Sequence, residues 1–462
     1  MTKESRFKTF IIVLTTIASF MTAFMGSAIN IALPVIGKEF NLGAVLLSWL
    51  ATAYLITTAV LLIPAGKLSD IYGRAKFFKT GVIVFSIGTL LCALSVSGTT
   101  FLIFRLLQGV GSAMMFTTST AILVSAFPAN DRGKVIGINT TAVYTGLSTG
   151  PFLGGIMTYY LGWRFIFYFS FIPGLAVSVL LLLFLKSEWK EAKDESFDYN
   201  GSMIYIVSMI SVMLGMTFLP SVYGILLLAF GIVMLYYFYK IQKEKIHPLF
   251  DVKVFRHNRT FIFSNFAALI NYSATFAIGF ILSLYLQNVK GLSSQDAGLI
   301  LMTQPVIMAL FSSLAGRLSD KIEPQIVASV GMGLLTVCLI VFIFISPDFN
   351  NIFIVINLAF IGLGFALFSS PNSNAVMSSV EKKYYGVASS TLSSMRMVGQ
   401  MFSMGIVIVI ISMFIGKAEI TIENTGLFIS GVRIIFLIFS ILCFIGIFAS
   451  LSRGKIHNSI KN

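Results

Sequence analysis

The residues best placed to do chemistry are a few charged and polar groups set inside long apolar runs. Arg105, within FLIFRLLQGVG (Phe101 to Gly111), lies about seven residues into its run, a depth of roughly 10 Å at 1.5 Å per residue. A charge at a helix centre costs at least about 2.5 to 3.5 kcal/mol on insertion scales, so an embedded arginine faces a cavity or a partner. Gln108 at i+3 gives that face a second polar group; snorkelling of Arg105 to the boundary is the competing reading. Arg396, with Gln400 at i+4, is a second embedded cation. Asp70 stands at a run's end among Lys67, Arg74, Lys76 and Lys79, where a carboxylate can hold basic side chains and a helix N-terminus. Contacts of that kind present in one of two conformations act as a latch. None of the 18 Asp and Glu residues falls in the middle of a run. The neutral residues fit to line a binding cavity are Asn30, Tyr54, Gln108, Met115, Asn271, Tyr272, Phe276, Gln304, Phe368 and Asn372, polar groups for orientation and Met or Phe for adaptable apolar contact.

These residues need membrane helices to hold them. Of 462 residues, 57% are hydrophobic and 11% charged, where a soluble domain carries roughly 25% charged. Repeated apolar runs of 20 residues or so specify spanning helices rather than a barrel. Fourteen spans are expected: six within 1–185, two within 186–259 after a charged connection, and six within 260–452, followed by a tail at 453–462. The first run, from Thr9 to Ile36, is too long for a cleavable leader. Among the 32 Lys and Arg residues, Lys38, Arg164, Lys290, Lys417 and Arg433 fall opposite the termini, Arg105 and Arg396 lie within spans, and the rest share the side of the termini. That asymmetry places both termini in the cytoplasm, and it accounts for the net charge of +14 without nucleic acid. Cys92, Cys338 and Cys443 sit in apolar runs without metal-ligand spacing, and the three histidines lie in polar connections, so neither a metal nor a catalytic centre is expected.

An internal repeat follows. Gly66-Lys67-Leu68-Ser69-Asp70 and Gly316-Arg317-Leu318-Ser319-Asp320 occupy corresponding connections in the two six-span blocks, which implies homologous halves that rock about a midplane site. In the fifth span, Gly137, Gly146, Gly150, Gly154 and Gly155 accompany Pro151. Glycines at 146, 150 and 154 leave one helix face nearly bare, so a second helix can approach closely.

On these motifs the chain resembles the major facilitator superfamily, and within it the fourteen-span drug:proton antiporters. Gly66 to Lys76, with Gly73 and Arg74, resembles the superfamily loop signature, and the Gly316 to Asp320 repeat matches its start. The Arg105 stretch resembles the fourth-span signature. Gly137 to Gly155 matches the antiporter motif G-x8-G-x3-G-P-x2-G-G at every fixed position, and WLATAYL (Trp49 to Leu55) and Tyr285 to Val289 resemble further patterns of the group. Met25 to Pro34 aligns with the first-span signature, but Met25 replaces its acidic residue and Ser27 its threonine. The carboxylate that commonly couples proton to cation in such antiporters is therefore missing from that place, leaving boundary acids such as Glu39, Asp70 or Asp296.

The resemblance implies an all-α polytopic plasma-membrane protein of fourteen helices, two six-helix halves plus two central ones, without cofactor or enzymatic activity. It is expected to export amphipathic, drug-like molecules by proton-coupled alternating access, as a monomer in the lipid bilayer. The missing carboxylate keeps open export of an anionic or neutral metabolite or peptide. A non-transporting membrane sensor is the third expectation.

Overall fold

A computed structural model describes residues 3–219, 221–249, 258–380, 385–416, 420 and 424–454. Every regular element among them is helical. α1 (Lys3–Glu39), α2 (Ala44–Tyr72), α3 (Arg74–Ala93), α4 (Gly98–Ala126), α5 (Ala129–Tyr160) and α6 (Arg164–Phe184) are followed by α7 (Tyr199–Thr217) and α8 (Val222–Glu244). Then come α9 (Arg259–Thr275) and α10 (Ile278–Leu284), which runs into a π-turn at Tyr285–Val289. α11 (Ser294–Leu301), α12 (Thr303–Lys321), α13 (Pro324–Ile343), α14 (Asn351–Ser378), α15 (Tyr385–Phe414) and α16 (Thr425–Leu451) complete the order.

Thirteen stretches among the described residues are long and apolar enough to cross a membrane. The remaining expected span corresponds to α5, a continuous helix of 32 residues. Two spans that read as single runs are built from two helices each. The first breaks at Phe276–Ala277, where the Ala277 N–H donates to Ser403 Oγ at 3.1 Å, and the second turns at Met302. Polar Ser273 and Thr275 precede the first break, and Thr303, Gln304 and Pro305 follow the second, but no strict alternation of apolar and polar residues marks either.

The chain divides into two compact units, one holding 1–42, 49–215 and 221–251, the other 43–48, 216–220 and 252–462. In the first, α1 packs on α5 and α3 on α4 and α6; in the second, α9 packs on α15 and α13 on α14 and α16. The same pairing of first with fifth, and of third with fourth and sixth, recurs as the duplicated loop motif implies. That motif repeats in detail: Ser69 Oγ donates to Gly66 O, and Ser319 Oγ to Gly316 O, both at 2.7 Å. Helix α8 and all but the last two residues of α7 lie within the first unit. They pack closely through Gly231, where a Cβ would meet Val212 N at 2.7 Å, and Tyr205 Oη of α7 reaches Ala59 O at 3.4 Å.

Candidate functional site

In the first unit, small residues bring α4 close enough to α2 and α3 for its polar face to be satisfied by theirs. A Cβ on Gly88 would lie 2.8 Å from Gln108 N, and one on Gly109 would lie 2.8 Å from Tyr54 O. With that clearance, Gln108 Nε2 donates to Thr89 Oγ1 at 2.7 Å and its Oε1 accepts from Arg105 Nη1 at 2.5 Å. Arg105 Nε also reaches Leu50 O at 3.4 Å, and its guanidinium lies 4.5 Å from the Tyr54 ring centroid. Tyr54 Oη pairs with Ser112 Oγ at 2.6 Å. Arg105 is only 1% exposed, so its side chain is drawn into the helix cluster rather than out to the boundary. It is held by dipoles and an aromatic face, an arrangement available to a charge with no embedded carboxylate nearby. Met115 is buried on the same helix, and Met25, at the position where an acid was sought, is fully buried.

The glycine face of α5 meets α1. A Cβ on Gly146 would lie 2.7 Å from Phe20 O, one on Gly150 would lie 2.7 Å from Ser27 Cβ and 3.0 Å from Ala28 N, and one on Gly154 would lie 3.0 Å from Ala28 Cβ. Pro151 has no N–H, which frees the carbonyl four residues earlier. That carbonyl, Leu147 O, accepts from Ser27 Oγ at 3.0 Å. Ser27 therefore makes good the hydrogen bond that Pro151 removes, as neighbouring helices do for broken membrane helices. The surroundings of Gly137 lie outside the described residues.

The loop between α2 and α3 is bound to the segment that follows α6. Gly73 has φ +125° and, lacking a Cβ, admits the Glu188 carboxylate. Glu188 accepts from Ala75 N at 2.7 Å and Lys76 N at 3.1 Å, so it neutralises orphan donors at the α3 N-terminus. Arg74 pairs with Asp70 at 2.7 Å and Glu191 at 3.4 Å, while its backbone N–H donates to Trp189 O at 2.9 Å. Ala192 N reaches Asp70 O at 3.1 Å, and Glu195 pairs with Lys67 and lies 3.5 Å from His247. The acids at 188, 191 and 195 read in sequence as a solvated connection; their spacing against the basic residues of the loop was the available signal. Gly66 lies by Thr117, and Gly316 by Ser370. The side chain of Asp320 lies outside the described residues.

Beyond that strap, Asp198 closes a clasp around the start of α7 and the end of α8. It accepts from Gln242 Nε2 at 2.7 Å, Gly201 N at 2.8 Å and the Lys245 ammonium. Burial alone would raise its pKa; the three donors outweigh that and hold the carboxyl below its usual value. A depressed carboxyl stabilises the fold above its unfolded pKa of about 3.9 and loses that contribution as pH falls through the lower folded value. Asp198→Asn should therefore lower the thermal midpoint at pH 7. The gap from the unsubstituted protein should close only below about pH 4. A midpoint unchanged at pH 7 would show the clasp to be idle.

In the second unit, Arg396 Nη2 donates to Ser373 Oγ at 2.7 Å, and its guanidinium stands 5.7 Å from the Tyr272 ring. Tyr272 meets Phe365 edge-on at 5.3 Å. A Cβ on Gly399 would lie 2.6 Å from Leu269 O, so α15 can bring Arg396 against α9. Among the described residues, Arg396 Nε, both amide atoms of Asn271 and Asn372 Oδ1 are buried without hydrogen-bond partners. Such groups are costly unless satisfied in some state. Phe276 sits half-buried at the break between α9 and α10, and Gln304 is half-buried where its backbone meets Gly362. Asn30 is half-buried on α1. Phe368 is fully buried with the Arg453 guanidinium 5.9 Å from its ring. Thr89, Ser112, Ser373 and Phe365 complete these clusters although their sequence context, isolated small or aromatic residues in apolar helices, did not distinguish them.

The family model for the Major Facilitator Superfamily matches residues 15–404 and again 265–460. The chain belongs to the major facilitator superfamily. It is 30% identical over 392 residues, 84% of this chain and 85% of the other, to the riboflavin transporter RibZ of Clostridioides difficile (strain 630). It is 28% identical over 394 residues, 84% of this chain and 73% of the other, to the multidrug resistance protein Stp of Mycobacterium tuberculosis. Among solved structures, a bacterial homolog to the human lysosomal transporter Spinster, inward-facing and unoccupied, superposes with a TM-score of 0.70 at 15% identity, covering 98% of each chain. This facilitator is thus a multi-pass membrane transporter and not an enzyme, and Arg105 and the α2–α3 strap are features of a transport protein.

Proposed function

We propose that this facilitator exports amphipathic, drug-like small molecules from the cytoplasm by alternating access coupled to protons, as a monomer in the plasma membrane with both termini cytoplasmic. The observation that carries the reading is the α1–α5 seam. Glycines at 146, 150 and 154 against Phe20, Ser27 and Ala28, with Ser27 bonded to the carbonyl freed by Pro151, form a tight joint suited to blocking leakage as helices rock. The fifth-span exporter pattern supports export, as do the relatives named as a multidrug resistance protein, Stp, and as a drug efflux pump, JefA, both of Mycobacterium tuberculosis. Proton coupling would run through a boundary acid. Glu39 pairs with Arg164 at 2.7 Å and Trp163 at 2.6 Å, Asp70 with Arg74, and Asp296 with Ser293 at 2.7 Å; any of these pairings can exchange with the transport state.

A second reading, transport of a neutral planar metabolite rich in amide-like groups, is favoured by a specific observation. The Asn271 amide and Asn372 Oδ1, buried without hydrogen-bond partners among the described residues, lie on the two helices whose Tyr272 and Phe365 rings meet, and the relative RibZ carries riboflavin in its name. Purified protein in proteoliposomes separates the two. Export of a lipophilic cation with stoichiometric proton counterflow is the expected result. Flux of riboflavin without proton movement, and none of the cation, would replace the first reading with the second.

A further inference from the structure

At the end of α16 the chain places Arg453 where a solvated tail residue was expected, yet the side chain is 1% exposed. Its backbone carbonyl accepts from Thr260 Oγ1 at 2.9 Å, and the neighbouring Ser452 O accepts from Arg259 Nε at 2.8 Å, so the end of α16 is tied to the start of α9. One turn earlier, Ser450 Oγ reaches Gln325 O at 3.5 Å, which ties the same end to the start of α13. The guanidinium turns inward, 5.9 Å from the Phe368 ring. Among the described residues, all three of its nitrogens lack hydrogen-bond partners, as do Ser264 Oγ, one turn along α9 from Thr260, and Gln325 Oε1.

One aromatic ring covers one face of the cation and leaves the five in-plane N–H donors unmet. A buried charge of that kind is costly without a counter-ion. Burial pushes the guanidinium down to about 9, which still leaves it cationic at neutral pH. An oxyanion that takes the planar fork bidentately would remedy this. Gln325 lies in the first turn of α13, a 20-residue helix, and a helix start adds positive potential. Ser264 can donate its hydroxyl, and the Gln325 amide can turn its NH2 group inward. Donors carried by three helix ends that are tied to one another suit a tetrahedral phosphate better than a planar carboxylate. The place suits it as well, since basic sites between helix ends at a membrane boundary hold lipid headgroups.

We propose that Arg453, with Ser264 and Gln325, forms a binding site for a phosphate group, carried either by an anionic lipid headgroup or by a free phosphate. Full-length protein in neutral detergent is heated with inorganic phosphate, with phosphatidylglycerol, or with phosphatidylcholine at matched ionic strength, alongside Arg453→Gln. The expected result is a midpoint raised by several degrees with a phosphate probe and not with phosphatidylcholine, and no such rise in Arg453→Gln. A rise with phosphatidylglycerol alone assigns the lipid source, and a rise with inorganic phosphate the free anion. Equal responses of the two proteins, or no response in either, would overturn the site. Should Arg453→Gln fail to fold, native mass spectrometry of the unsubstituted protein decides. One retained phosphate or phosphatidylglycerol adduct supports the site, and its absence at saturating probe rejects it.

Discussion

Gly150→Leu should reach the membrane at normal levels and transport nothing measurable above background in proteoliposomes. Even the first added atom would lie 2.7 Å from Ser27 Cβ and 3.0 Å from Ala28 N. The second is a backbone atom inside a helix, which cannot swing aside. Overpacking a core by a methylene or more costs about 1–3 kcal/mol, and here the strain falls on a joint rather than on a flexible side chain. Pushing α1 away would also break the Ser27 bond to Leu147 O. The carbonyl freed by Pro151 would then be unsatisfied in an apolar setting, a further loss of about 1–3 kcal/mol. Ser27→Ala isolates that second effect and should reduce flux without abolishing it. Gly26→Ala supplies the control within the same helix, since among the described residues nothing lies within 4 Å of the atom it adds; it should transport normally and be slightly more stable. Full flux in Gly150→Leu would remove the seam from the mechanism.

How much of this seam could be read from the chain depends on which interaction is considered. The four-residue spacing of glycines announces a bare face, because helical period alone decides which residues share a side. Its partner is another matter: pairing Ser27 with Leu147 requires the axial register of two helices 120 residues apart in sequence, and hydropathy carries no register. The loop repeat was equally legible, down to the Ser69 and Ser319 hydroxyls that copy each other. The strap that holds it was not, since Glu188 and Glu191 look like ordinary solvated charges until the positive φ of Gly73 opens room for a carboxylate. Gln108 was found from its place one turn beyond Arg105, whereas Thr89 lies on a different helix and resembles any other buried threonine. Arg453 misled for the opposite reason. A basic residue just past an apolar run normally marks the boundary, and only packing reveals that this one turns inward.

The Arg105 cluster gives the second large effect. Arg105→Leu should lower flux at least tenfold, about 1.4 kcal/mol in the transport barrier, while the thermal midpoint moves by no more than a few degrees. The two quantities separate for a physical reason. Removing the guanidinium abolishes the embedding cost of a charge, about 2.5 to 3.5 kcal/mol or more. It also strands Gln108 Oε1 and Leu50 O, which Arg105 now serves at 2.5 and 3.4 Å, at about 1–3 kcal/mol each. These terms oppose each other in the resting fold, so stability changes little. They do not offset each other in a transport cycle if Arg105 exchanges Gln108 for a substrate or proton-linked partner, because a leucine has nothing to exchange. Arg105→Lys tests the geometry, retaining the charge but not the fork that reaches Gln108 and Leu50 while facing Tyr54. It should fall between the two, closer to Arg105→Leu. If flux and midpoint decline together in both variants, Arg105 is a structural tie between α2 and α4. If Arg105→Leu transports at the full rate, the embedded charge has no part in the cycle.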